Sequence, residues 1–158
     1  MLLYHGSNIA VEKPQLMPIK RQLDFGAGFY LTSNLEQARK WAVRKVNIRM
    51  EGIATVSVFS FAEECFQSLK ILRFKGPDRE WLEFVVANRT GKTISDDYDI
   101  ICGPVANDQT VRTINDYING YLTADIALQL LLPQKLKDQY AFKTAESLTA
   151  LQFKETLS

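Results

Sequence analysis

Every segment of this chain that reads as a β-strand is short, and half of them alternate apolar with polar residues. Leu2-Leu3-Tyr4-His5 reads as a strand ended by Gly6-Ser7-Asn8. Phe29-Tyr30-Leu31-Thr32 reads as a second strand, preceded by the glycine-bearing turn Asp24-Phe25-Gly26-Ala27-Gly28. Residues 53–59 alternate like a half-buried strand, and 69–74 form another. Residues 98–102 have the composition of a buried strand closed by Gly103-Pro104, and 139–142 and an edge strand at 152–154 follow. Helices interleave with these strands. Ser33-Asn34-Leu35-Glu36 has the form of a capping box. Behind it Leu35, Ala38, Ala42 and Val46 keep helical spacing up to Glu51-Gly52. Gly76-Pro77-Asp78 opens a helix through Trp81, Phe84, Val85 and Asn88, and further helices are expected near 110–119, 123–132 and 145–151. Residues 11–22, with Pro14, Pro18 and the cations Lys20-Arg21, are expected to be a loop. Short, partly alternating strands between helices argue for an α+β fold and against a doubly wound parallel sheet.

The 158 residues favour one domain spanning 1–158. Nineteen basic against 18 acidic side chains leave a net charge of +1, which argues against an extended nucleic-acid binder or a polybasic membrane protein. Cys65 and Cys102 lack the spacing of a redox pair or a zinc site. With one histidine in the chain, no metal is expected. The opening residues are too short and too polar for a signal peptide. No apolar run approaches the roughly 20 residues of a membrane span, so a cytoplasmic protein is expected.

Taken one at a time, the chemically suggestive residues have bland readings. A histidine after a strand is usually structural, a Gly-x-Gly before an aromatic is usually a turn, and Trp41 on a helix is usually core. Their order is more specific. Tyr4-His5-Gly6-Ser7 comes first, then Gly26-Ala27-Gly28-Phe29-Tyr30. A helix with Ala38 and Trp41 follows, and near the end stands Asp138-Gln139-Tyr140. This series resembles the ADP-ribosyltransferases of the diphtheria-toxin-like and poly-ADP-ribose-polymerase-like type. Those enzymes carry a His-Gly-Ser/Thr strand, a Gly-x-Gly-aromatic-Tyr strand, a helix with an aromatic and a late Glu-Tyr strand. The sequence looks closer still to a bacterial family of small proteins in that superfamily, through Asp24-Tyr30, Trp81-Arg89 and Gly103-Asp108.

The resemblance implies two small, mostly antiparallel sheets around an NAD+ cleft with flanking helices. It implies transfer of ADP-ribose from NAD+ to a macromolecular acceptor with release of nicotinamide. His5, Tyr30 and Gln139 would form the catalytic core, with His5, Gly6, Ser7, Gly28, Tyr30, Ala38 and Trp41 binding the cofactor. Compact bacterial proteins of this kind are often toxins, so a small antitoxin or immunity protein is a further expected partner.

These residue types suit that chemistry. The peptide N–H and C=O of a glycine can pair with the nicotinamide carboxamide without a side chain in the way. Tyr30 and Trp41 can flank a cationic ring, worth roughly 0.5–2 kcal/mol. His5 can hold a ribose hydroxyl. The oxocarbenium-like centre that develops as nicotinamide leaves needs a nearby acceptor or anion. At that position the resembled enzymes have Glu and this chain has Gln139, which keeps a carbonyl acceptor but has no charge and cannot act as a general base. Either the enzyme runs with Gln, or Asp138, Asp24 or Asp108 substitutes, or the protein binds NAD+ with weak transfer or none. A binding module for NAD+ or a protein partner is therefore the alternative to an enzyme.

Three further features have two readings each. Asn107-Asp108 is either a helix cap or a contact at the mouth of the site. Arg89 either complements a helix end or binds phosphate, beside a structural Asn88. The cations Arg39, Lys40, Arg44, Lys45 and Arg49, set against Glu36 and Glu51, form either a solvated face or a surface for phosphates or an acidic partner.

Overall fold

A computed structural model of the chain describes residues 1–17, 23–92 and 97–158. Seven strands and five α-helices follow in the order β1 (Leu2–Ser7), β2 (Phe29–Leu31), α1 (Leu35–Arg49), β3 (Thr55–Phe61), β4 (Ile71–Arg73), α2 (Arg79–Arg89), β5 (Ile100–Pro104), α3 (Asp108–Ile118), α4 (Ala124–Leu131), β6 (Asp138–Phe142), α5 (Ala145–Leu148) and β7 (Leu151–Leu157). A 3-10 turn at Glu63–Gln67, which no sequence signal announces, joins β3 to β4. Residues 11–17 contain no helix or strand. The rest of the expected loop, with Lys20 and Arg21, lies outside the described residues.

The strands form two sheets. One has the order β1-β3-β7 and is antiparallel throughout. The other has the order β2-β6-β5-β4 and is antiparallel except for the β4–β5 pair, which α2 connects as a crossover. The molecule is thus a single small α+β domain.

Two apolar cores divide the residues by strand parity. Leu3, Phe59, Phe61 and Leu151 from the first sheet meet Phe29, Leu31, Ile100 and Phe142 from the second. The opposite face of the four-stranded sheet, with Ile101 and Ala141, packs on Trp81, Leu82 and Val85 of α2, Ile114 of α3, and Ala127 and Leu131 of α4. The period-two geometry of a strand explains this, since successive side chains enter opposite layers.

β3 differs from its expected half-buried character. Six of its seven residues are buried, because it is the central strand and α1 packs against the same sheet. β1 also runs further than expected, through Gly6 and Ser7, since both continue the β3 ladder opposite Val56 and Thr55.

α1 begins one residue later than the capping box suggests. Asn34, not Ser33, is the N-cap, and its side chain accepts from the Gln37 N–H at 2.9 Å. Ser33 is engaged elsewhere. Its N–H and hydroxyl both donate to the Asp138 carboxylate, 105 residues away. α1 ends at Met50 in the left-handed region, just before Gly52. No helix among the described residues is long and apolar enough to cross a membrane.

Candidate functional site

The two sheets meet where β1 bridges the end of β2, and β6 pairs with β2 on its other side. Tyr4 of β1 and Thr32, just past β2, form an isolated antiparallel bridge with N–H to O distances of 2.8 and 3.0 Å. Because antiparallel residues direct their amides to alternate edges, Tyr4 faces β2 rather than β3. Gly6, two residues on, presents its N–H and C=O at the same edge. If the bridge register continued, Gly6 would lie opposite Tyr30.

Gly6 has a second constraint. A Cβ on it would come within 2.0 Å of the Ala38 carbonyl oxygen and 2.9 Å of the Ala42 nitrogen. α1 therefore packs its backbone directly on β1, and the fully enclosed Ala38 and Ala42 are small for that reason. Ala38 and Gly6 are brought together as expected. Gly28 is tight for a similar reason, with the Phe142 carbonyl 3.0 Å from its would-be Cβ, whereas Gly26 supplies the positive φ of the turn, at 76°.

His5 reaches the Tyr30 carbonyl through Nδ1 at 2.7 Å and stacks on the Phe29 ring at 4.3 Å between centroids. A carbonyl only accepts, so Nδ1 carries the proton and donates. Nε2 is left as an acceptor, suited to a hydroxyl donor. Burial lowers the imidazole pKa to about 4. The Tyr30 carbonyl opposes that shift and the Lys45 charge adds to it. The ring is therefore neutral at pH 7.

Tyr30 lies on the opposite face of β2 from Phe29, toward the helical core. Its hydroxyl donates to the Gly26 carbonyl at 2.7 Å and accepts from the Phe25 N–H at 3.1 Å, which pins the glycine turn. Trp41 is half-buried and belongs to neither apolar core, which separates it from an ordinary core tryptophan. Among the described residues no ring contact joins Tyr30 and Trp41. Ser7 is buried, and its hydroxyl donates to Asn8 Oδ1 at 3.5 Å, at the limit of a hydrogen bond.

Gln139 lies two residues from Ala141, the register partner of Tyr30. It is buried at 3% exposure, and its Nε2 donates to the Pro104 carbonyl at 3.2 Å. The Trp81 indole donates to the same carbonyl at 3.0 Å. His5, Tyr30 and Gln139 thus sit on adjoining strands, with the Gln139 amide turned toward β5.

The family model described as "Protein of unknown function (DUF3990)" matches residues 1–153. The chain belongs to this family. The matched span runs from β1 into β7 and contains every candidate residue from His5 to Gln139. No curated protein and no solved structure matches the chain.

The three candidate substitute carboxylates have different surroundings. Asp24 is 2.6 Å from Arg89 Nε, and its carbonyl accepts from Asn88 Nδ2 at 3.0 Å. Asn88 Nδ2 also donates to the Phe84 carbonyl at 3.0 Å, tying the end of α2 to the glycine turn. Asp108 is exposed in the first turn of α3. Asp138 accepts from Thr32 Oγ1 at 2.9 Å and from both donors of Ser33, clasping the end of β2 to the start of β6. Local sequence could not show that clasp, because its partners are over a hundred residues apart. Asn107 is the cap of α3, accepting from the Thr110 N–H and hydroxyl at 2.8 Å each. Of the α1 cations, Arg39 pairs with Glu36 at 2.8 Å on the surface.

Another polar row crosses the four-stranded sheet. Arg73 Nη1 lies 3.6 Å from Cys102 Sγ, and Cys102 is the register partner of Tyr140. Burial raises the pKa of both the Cys102 thiol and the Tyr140 phenol, against the pull of Arg73. Both cysteines are free thiols, and among the described residues no group of three His, Cys, Asp or Glu could hold a metal.

Proposed function

We propose that this protein binds NAD+ at the seam of β1, β2 and β6 and transfers ADP-ribose from it to a macromolecular acceptor, as an ADP-ribosyltransferase-like enzyme. The observation that carries the reading is the Gly6 peptide edge. It is buried beside the His5–Tyr30 contact, two residues past the single bridge that joins β1 to the end of β2. On this reading Gly6 pairs with the carboxamide of nicotinamide, and Trp41 and Tyr30 lie along the ring. Neutral His5 accepts from a ribose hydroxyl at Nε2. Holding ribose and leaving group in one geometry is worth several kcal/mol. The Gln139 carbonyl orients the 2′-hydroxyl and leaves the oxocarbenium-like centre without a full negative charge. The toxin role and the small antitoxin partner belong to this proposal and rest on the sequence resemblance alone.

One observation favours a second reading, that of an NAD+-binding or partner-binding module with weak transfer. The Gln139 amide is committed to Pro104, and Asp24 and Asp138 are occupied by Arg89 and by the Thr32-Ser33 donors. Incubation of the protein with NAD+ labelled in the adenylate, in the presence of cell extract, separates the two. Nicotinamide release with label on a macromolecule, both lost in His5→Ala, is the result expected of the enzyme. Saturable NAD+ binding without release assigns the module, and neither binding nor release removes both.

A further inference from the structure

Three lysines line one small cavity. Its volume is about 230 Å³, and it lies between the start of α1, the segment after β5 and the segment leading into β6. Lys40 comes from α1, and Lys135 and Lys137 come from the segment just before Gln139. Among the described residues no carboxylate pairs with any of the three. The one acid in the lining, Glu36, holds Arg39 at 2.8 Å. In a chain of net charge +1, this is a local gathering of positive charge around open space.

The backbone adds to the same field. Asn34 and Asn107 both line the cavity, and they are the N-caps of the 15-residue α1 and the 11-residue α3. Two helix N-termini therefore border the cavity, each equivalent to roughly half a positive charge, with Glu36 and Asp108 in their first turns. The caps bond their own first-turn amides and bring no negative charge to the lining. The cavity falls below the roughly 300 Å³ at which sites for whole small molecules begin, which suits a group rather than a complete dinucleotide.

We propose that Lys40, Lys135 and Lys137 form a phosphate-binding subsite whose ligand extends toward Gln139. Two of the lining residues stand next to the surroundings of Gln139 along the chain. Lys137 is two residues before it, and Val105 in the lining follows Pro104, whose carbonyl takes the Gln139 amide. The phosphate belongs either to NAD+ itself or to an acceptor that carries one. Binding does not depend on whether ADP-ribose is transferred.

The test is a titration of the full chain with inorganic phosphate at ionic strength held constant with chloride, followed by backbone amide chemical shifts. Saturable shifts are expected at Gln37, Lys40, Asn107 and Lys137. In the Lys40→Ala/Lys135→Ala/Lys137→Ala variant the affinity should fall at least about tenfold. All three side chains are exposed, so the variant should keep the fold, and the spectrum reports that directly. Lys137→Glu should weaken binding more than Lys137→Ala. Shifts that never saturate, or equal affinity in the triple variant, overturn the proposal. Repeating the titration with NAD+ and with adenosine monophosphate identifies the source. Shifts at Gly6 and at the cavity from NAD+ assign the donor phosphates. Cavity shifts from the monophosphate, with Gly6 shifts alone from NAD+, assign the acceptor.

Discussion

Replacing Gly6 by alanine should be costly, and the structure shows how costly. The new methyl carbon would sit 2.0 Å from the Ala38 carbonyl oxygen and 2.9 Å from the Ala42 nitrogen. Ordinary contact begins near 3.5 Å, so α1 would have to withdraw from β1 by more than about 1 Å. Both clashing atoms are backbone, so no side chain can swing away. Overpacking a filled interior costs roughly 1–3 kcal/mol, and a helix shift places this case at the upper end. For a domain of this size each kcal/mol lowers Tm by roughly 2–4 °C, so a fall of about 6–12 °C is expected. Gly76→Ala is the control, because nothing lies within 4 Å of its would-be Cβ. Thermal unfolding followed by circular dichroism measures both. If Gly6→Ala melts with the wild type, α1 does not rest on β1 as described, and the peptide edge is not held where the site needs it.

Three other outcomes follow from the same geometry. The His5 pKa is about 4 when folded against an ordinary 6.5, so between those values the unfolded chain binds the proton and the folded one does not. Stability from this group is full above pH 6.5 and falls as pH drops toward 4, by up to about 3 kcal/mol in total. Denaturant titrations across that range should show His5→Gln with a flatter profile, and an equally steep one refutes the buried neutral ring. Asp24→Ala and Arg89→Ala should each destabilise by roughly 2–4 kcal/mol, since the side chains are only 12% and 21% exposed, and a double-mutant cycle should show strong coupling. Independent effects would mean the pair does not form. Trp41→Ala should cost less stability than Trp81→Ala, because Trp81 is fully enclosed and Trp41 lies outside both cores, yet only Trp41→Ala should weaken NAD+ binding directly. Calorimetry with NAD+ beside thermal melts checks both halves.

The α+β class and most elements were legible in the sequence because their signals are local. Asp78 before Arg79–Arg89 and Thr123 before Ala124–Leu131 cap their helices as side-chain chemistry dictates, and the 98–102 and 139–142 runs became neighbouring strands. Where local signals competed, long-range contacts decided. Ser33 fits the capping box by spacing, but Asp138 takes both its donors and the cap passes to Asn34. Residues 53–59 alternate, yet helix and sheet cover both faces of β3, which no pattern within one strand can reveal. His5, Gly6, Tyr30 and Ala38 stand out by their order along the chain; the fold places His5 on the Tyr30 carbonyl and Gly6 against Ala38 of α1. The direction of the Gln139 amide and the occupation of Asp24 and Asp138 were not readable. Each depends on a partner 35 or more residues away.

The central claim is that NAD+ binds at the Gly6 edge, and a crystal of the full chain soaked with NAD+ or a non-hydrolysable analogue tests it most directly. The expected density places the carboxamide on the Gly6 N–H and C=O, the ring beside Tyr30 and Trp41, and a ribose hydroxyl against His5 Nε2. A dinucleotide bound away from β1 and β2, or no bound dinucleotide at saturating concentration, contradicts it.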